Sequence, residues 1–69
     1  MGNIFLIFGK NVKTRRKDLN LSQEQLAELI DRDPRTIRLI EAGDSNPTTK
    51  TIYKLTKALS TNASTLLGF

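Results

Sequence analysis

Arg35, Arg38 and Leu39 are the side chains of this 69-residue sequence whose types and spacing point most directly to chemistry. At about 100° per residue along a helix, Arg35, Leu39 and Ala42 stack on one side. Arg38 lies beside them, and Ile37 and Ile40 point away. A polar strip is thereby separated from a pair that seeks a core. What such a strip offers is recognition of base edges: the planar fork of an arginine can donate to O6 and N7 of a guanine, which discriminates by about 1–3 kcal/mol. Arg38 has two open uses, base edge or phosphate. Leu39 also has two readings, contact with a thymine methyl or a second subunit, and the ordinary exposure of a single leucine. Enzymatic readings are thin by comparison. With neither cysteine nor histidine, the chain has no disulfide, thiolate zinc site, Ser-His-Asp or Cys-His triad, or histidine proton shuttle. Carboxylate chemistry stays formally open, but no paired acids or concave site are indicated. Gly9-Lys10 lacks the spaced glycines and hydroxyl residue of a phosphate loop. The expectation is a binding protein that is not an enzyme, with no cofactor, metal or small-molecule ligand implied.

The elements that must carry this strip are marked by their caps. In Leu21-Ser22-Gln23-Glu24-Gln25-Leu26, Ser22 can cap a helix, Gln25 can bond back to it, and Leu21 can staple onto Leu26. A helix from Gln23 to about Ile30 follows, with Leu26, Ala27, Leu29 and Ile30 inward and Glu24 and Glu28 outward. Asp33 then precedes Pro34, an N-cap followed by the one helical position where the missing N–H of proline is harmless. The second helix, bearing Ile37 and Ile40, stops at Gly43, a natural left-handed terminator. Two short helices joined by about three residues form a helix-turn-helix over Ser22 to Ala42.

Before this pair, Phe5, Phe8, Val12 and Leu19 mark one stripe of a helix ending near Asp18, with Lys10, Lys13, Arg15 and Lys17 largely off it. Ile4 to Phe8 is also good strand material, and Gly9 weakens a continuous helix. After the pair, Gly43 to Pro47 is turn chemistry, and Thr48 can cap a helix with Ile52, Leu55 and Leu59 inward. A last turn from Asn62 buries Leu66 and Leu67. The fold class expected is all-α, a bundle of about five short helices.

A chain this short forms one domain, residues 1–69, and buries only a modest fraction of its surface. Eleven basic residues against seven acidic give a net charge of +4, which favours a polyanionic partner without identifying it. The longest apolar run, Ile4 to Phe8, is far too short to span a bilayer. No small-residue cleavage site follows it, so a cytoplasmic address and no membrane partner are expected.

Leu21-Ser-Gln-Glu-Gln-Leu-Ala-Glu-Leu-Ile30, followed by Arg35-Thr-Ile-Arg-Leu-Ile-Glu-Ala-Gly43, resembles the lambda-repressor-like family, the Cro and XRE type of bacterial and phage regulators. Asn46-Pro47 and Lys57-Ala-Leu59 to Leu66-Leu67 match the later part of its pattern. The resemblance implies a sequence-specific reader of double-stranded operator DNA, with its second motif helix in the major groove. It makes Arg35, Arg38 and Leu39, flanked by Pro34 and Thr36, the base-reading set. It also implies phosphate contacts from Gln23, aided by backbone N–H groups and the helix dipole, and from Asn46, Thr48 and Lys50. Arg16 and Glu41 become a structural ion pair. Two positions depart from the family: Asp31 stands where glycine is usual, and Arg32 where an apolar residue is usual. Pro34, lacking a donor and side-chain reach, moves the burden of readout toward Arg35.

One helix-turn-helix covers only a few base pairs, so a symmetric homodimer on half-sites about 34 Å apart is expected. Its interface is expected at Leu66, Leu67 and Phe69, with the apolar N-terminus either joining it or filling the core. The competing function is an antitoxin-like or bridging protein that uses the fold mainly to hold a protein partner.

Overall fold

The computed structural model describes residues 3–69, in which five helices and no strands are present: α1 Ile4–Asp18, α2 Gln23–Leu29, α3 Pro34–Ala42, α4 Thr49–Ala58 and α5 Ala63–Leu67. Each begins at a side-chain cap. Asn3, Ser22, Asp33, Thr48 and Asn62 accept from the backbone N–H of Phe5, Gln25, Arg35, Thr51 and Thr65 respectively. These bonds satisfy donors that have no partner inside the helix. At Ser22 the capping box is complete, with the Gln25 side chain accepting from the Ser22 N–H at 2.8 Å.

The ends are equally uniform. Asn20, Asp31, Gly43, Ser60 and Gly68 all have left-handed backbone. In each case the residue that follows donates to the carbonyl five positions back: Leu21 to Arg16, Arg32 to Ala27, Asp44 to Leu39, Thr61 to Thr56, and Phe69 to Ser64. This is the bond that closes a Schellman motif. Only two of the five positions are glycine. Asp31 takes φ 58°, so the chain makes this left-handed turn without glycine; the short polar side chain of aspartate tolerates this region better than most.

The core joins Phe8 and Val12 of α1, Leu26, Ala27 and Ile30 at α2, Ile37 and Ile40 of α3, Leu55 and Leu59 at α4, and Leu66 of α5. Ile4 to Phe8 is helical, which settles the helix-or-strand ambiguity of that run. Gly9 does not break the helix. It is buried, and a Cβ built there would lie 2.1 Å from the Ile40 carbonyl oxygen, so its missing side chain lets α1 approach the α3 backbone.

Polar side chains of α1 tie down two other helices. Arg15 donates from Nε to the Leu59 carbonyl at 2.8 Å, and Asn11 donates from Nδ2 to the Leu66 carbonyl at 3.0 Å. Carbonyls left over at the ends of α4 and α5 thereby find partners.

Three sequence expectations need correction. Leu29, placed inward, is 59% exposed, because it lies about 100° from the centre of the Leu26–Ala27–Ile30 arc. Leu19 is exposed as well, since α1 ends at Asp18 and Leu19 serves only as its C-cap. Leu66, expected both to be buried by the last turn and to join a dimer interface, is 1% exposed: the burial holds, and the monomer's own core takes the side chain that the interface would need.

Candidate nucleic-acid interface

The turn between α2 and α3 is fixed at both ends by local chemistry. Asp31 ends α2 in the left-handed region, and two residues later Asp33 caps α3 with Pro34 at its first position. Ile37 and Ile40 are buried, which anchors one side of α3 to the core. The opposite side must then face solvent, and Arg35, Arg38, Leu39 and Ala42 are all exposed there. Pro34 and Thr36 are half-buried at the margins of this strip. The expected base-reading set is thus divided into three outward side chains and two flanking ones.

Arg35 is 76% exposed at its side chain and is engaged by its own helix cap, Asp33. The hydrogen bonds from the Arg35 side chain, and then from its backbone N–H, hold the Asp33 carboxyl below its ordinary range, while the same contact raises Arg35. Because the carboxyl value is lowered on folding, the pair is present above the usual carboxylate range and is lost as pH falls through the lowered value.

Behind the strip lies a buried ion pair. Arg16 Nε meets Glu41 Oε2 at 2.6 Å, with the side chains 10% and 4% exposed. Arg16 Nη2 donates to Glu41 Oε1 at 3.1 Å, and Nη1 donates to the Leu21 carbonyl at 2.8 Å. The Arg16 guanidinium is raised by its hydrogen bond to Glu41, against the opposing effect of burial. One residue thereby binds α1 to the end of α3 and to the segment leading into α2.

Gln23 joins the same cluster, donating from Nε2 to Glu41 Oε1 at 3.0 Å. The resemblance gave this side chain to a phosphate. In the structure one of its amide hydrogens serves Glu41, and the other hydrogen and the carbonyl remain. No signal in the sequence joins Gln23 to Glu41, which are 18 residues apart and meet only through the packing of α2 on α3.

Asn46, Thr48 and Lys50 are exposed at and before the start of α4. Of these, Thr48 is already occupied: its hydroxyl caps Thr51 at 3.2 Å and shares a bond with the Thr51 hydroxyl at 3.0 Å. Lys50 stands in the first turn of α4, next to backbone N–H groups that have no partner within the helix.

At the C-terminus, Leu67 is half-buried and Phe69 is 80% exposed. Ile4, Leu6 and Ile7 are exposed on α1, while Phe8 is buried. The apolar N-terminus is therefore split between core filling and open surface. A Cβ on Gly68 would come 2.9 Å from Ile7, which places this open surface beside the C-terminal residues.

The profile of the helix-turn-helix family matches residues 12–66. The chain is similar to the control protein C.SmaI of Serratia marcescens, with 41% identity over 61 residues that cover 88% of this chain and 73% of the relative. It is similar in structure to the restriction-modification controller protein C.AhdI from Aeromonas hydrophila, with a TM-score of 0.86 and 32% identity, covering 90% of this chain and 94% of that one. The hypothetical transcription factor NHTF from Neisseria gives a TM-score of 0.88 at 26% identity, covering 93% and 74%. The clp gene regulator ClgR from Corynebacterium glutamicum shares the fold alone, with a TM-score of 0.88 at 19% identity, covering 93% and 68%. A family match over most of the chain, joined to controller relatives in both sequence and structure, shows that it belongs to the helix-turn-helix family and is a DNA-binding regulator of transcription.

Proposed function

We propose that this chain controls transcription by binding an inverted-repeat operator as a symmetric homodimer, in the manner of a restriction-modification controller, and that it works in the cytoplasm. The observation that carries the reading is the outward strip of α3, where Arg35, Arg38 and Leu39 stand exposed on a helix whose opposite side is anchored by buried Ile37 and Ile40. A helix presented in this way fits the major groove. Arg35 reads a guanine, and Arg38 serves a neighbouring base or phosphate. Leu39 meets a thymine methyl, and Pro34 and Thr36 shape the margins of the contact. Lys50, Asn46 and the remaining amide hydrogen of Gln23 hold phosphates, with the backbone N–H groups that open α4 supplying what the occupied Thr48 hydroxyl does not. The second subunit docks on the apolar surface of exposed Ile4, Ile7 and Phe69 and half-buried Leu67, which needs no rearrangement of the core.

The test uses a duplex selected by the native chain and a scrambled duplex of the same length. Arg35→Ala is expected to lose about tenfold or more in affinity for the selected duplex, within the range for one bidentate base contact, and to lose far less on the scrambled one. Sedimentation of the native complex is expected to give two chains per duplex. An equal loss on both duplexes, or one chain per duplex at saturation, would contradict the reading.

A further inference from the structure

Asp33 uses one carboxylate for two purposes. Its Oδ1 accepts from the Arg35 backbone N–H at 2.8 Å, which caps α3. The same carboxylate also takes the Arg35 side chain, with Nε donating to Oδ1 at 3.2 Å and Nη2 to Oδ2 at 3.3 Å. Pro34 separates the two residues, and its ring fixes φ, so cap and arginine are joined by a stiff spacer. Both side chains are exposed, Asp33 at 52% and Arg35 at 76%. Arg35 is therefore oriented by Asp33 and not by core packing.

Which edge of the guanidinium is used decides what remains. The group has five N–H donors in a rigid planar fork. Contact through Nε and Nη2 occupies the side edge and two of those donors. The other hydrogen of Nη2 and both hydrogens of Nη1 stay open, and Nη1 and Nη2 together form the end edge. That edge offers two parallel N–H groups, the arrangement that meets O6 and N7 of guanine.

We propose that Asp33 is a positioning residue for base recognition: it grips Arg35 by its side edge so that the end edge is presented to a guanine, and it thereby sets the guanine preference of the protein. The inference rests on the reading of α3 as the recognition helix. Two physical effects follow. A long side chain ordered before binding loses less conformational freedom on contact. A carboxylate beside the recognition surface is also repelled by phosphates, which weakens binding to DNA of any sequence. Both effects widen the ratio of specific to non-specific affinity.

Asp33→Asn tests this in the full chain, because asparagine caps a helix about as well as aspartate but has no charge to hold the guanidinium. Binding would be measured by fluorescence anisotropy on the selected duplex, on its single-base variants and on a scrambled duplex, with thermal unfolding recorded in parallel. Arg35→Ala identifies the base pair that Arg35 reads. The expected result for Asp33→Asn is a guanine preference at that base pair reduced about tenfold, within the range one bidentate contact supplies. Scrambled DNA is expected to bind as tightly as before or more tightly, with the unfolding temperature nearly unchanged. Asp33→Ser, also a good cap, repeats the test without the amide. Full guanine preference in Asp33→Asn, alongside its loss in Arg35→Ala, would overturn the positioning role while leaving Arg35 as the base reader. An equal fall on selected and scrambled duplexes would also overturn it. If neither variant changed preference at any base pair, the reading of Arg35 itself would fall, and the role of Asp33 with it.

Discussion

Glu41→Ala is expected to destabilise the protein by about 3–5 kcal/mol, the range for breaking a buried ion pair by removing one partner. Arg16 would then keep only the Leu21 carbonyl among its present acceptors. Its charge would be left 10% exposed without a counter-ion, and Gln23 would lose its acceptor as well. Total stability for a domain is about 5–15 kcal/mol, and a chain of this size belongs near the lower limit, so the variant should be extensively unfolded near 37 °C. Urea titration followed by circular dichroism measures the loss. The double variant Arg16→Met with Glu41→Leu should recover most of it, because apolar side chains of similar volume do not carry the desolvation penalty of the pair. A loss below about 1 kcal/mol would mean that the pair behaves like an exposed salt bridge and does not hold α1 to α3. The same result bears on function: Glu41 variants will fail to bind DNA because they fail to fold, and a binding assay alone would misassign the residue to the interface.

Gly9→Ala sets two effects of opposite sign against each other. Alanine is the better helix former by about 1 kcal/mol, and Gly9 lies inside α1. Against this, the new Cβ would sit 2.1 Å from the Ile40 carbonyl oxygen and 3.0 Å from that of Glu41. Both are backbone atoms, which cannot swing aside as the tip of a side chain can. Relief requires α1 and α3 to separate, and overpacking of this kind costs about 3 kcal/mol at the upper end of the usual range. Separation would also lengthen the Arg16–Glu41 contact between the same two helices. A net loss of about 2–3 kcal/mol is expected by urea titration. Unchanged or increased stability would show that helix propensity wins and that the close approach is not required.

These two sites also show where sequence reading reached its limit. Helix boundaries were legible because caps are local: Ser22 with Gln25, Asp33 with Pro34, Thr48, Asn62 and Gly43 each act within a few residues, and each stands at the boundary expected of it. The outward strip of α3 was legible for the same reason, since 100° per residue separates Arg35, Arg38 and Leu39 from Ile37 and Ile40 without knowledge of any partner. Contacts between distant residues were not. Gly9 read as a weak point in a helix, because nothing in its neighbourhood announces the α3 backbone that passes against it. Arg15 read as one charge in a basic series, and it is a tie to the end of α4. Leu66 and Leu67 were grouped as interface residues, yet adjacent positions on a helix point about 100° apart, and the core takes one of them. Leu29 failed in a related way: in a helix of two turns, the inward arc admits only some of the apolar residues. The Arg16–Glu41 pair came from resemblance alone, and its coupling to Gln23 emerges only from the packed structure.

The site follows the same division. The residues that face outward on α3 were visible in the pattern, whereas what holds them was not. Asp33 was read as a cap, which it is, but its hold on Arg35 depends on a side-chain rotamer that a one-dimensional pattern does not contain.

Whether this protein reads an inverted repeat through α3 is decided by selection of bound sequences from a random duplex library, followed by titration of the enriched duplex at two salt concentrations. The expected result is enrichment of an inverted repeat whose half-sites lie about 34 Å apart, with affinity that falls as salt rises yet stays well above that for scrambled DNA at both concentrations. No enriched sequence, together with weak binding that vanishes as salt rises, would contradict it, and would reduce the interaction with DNA to the net charge of +4.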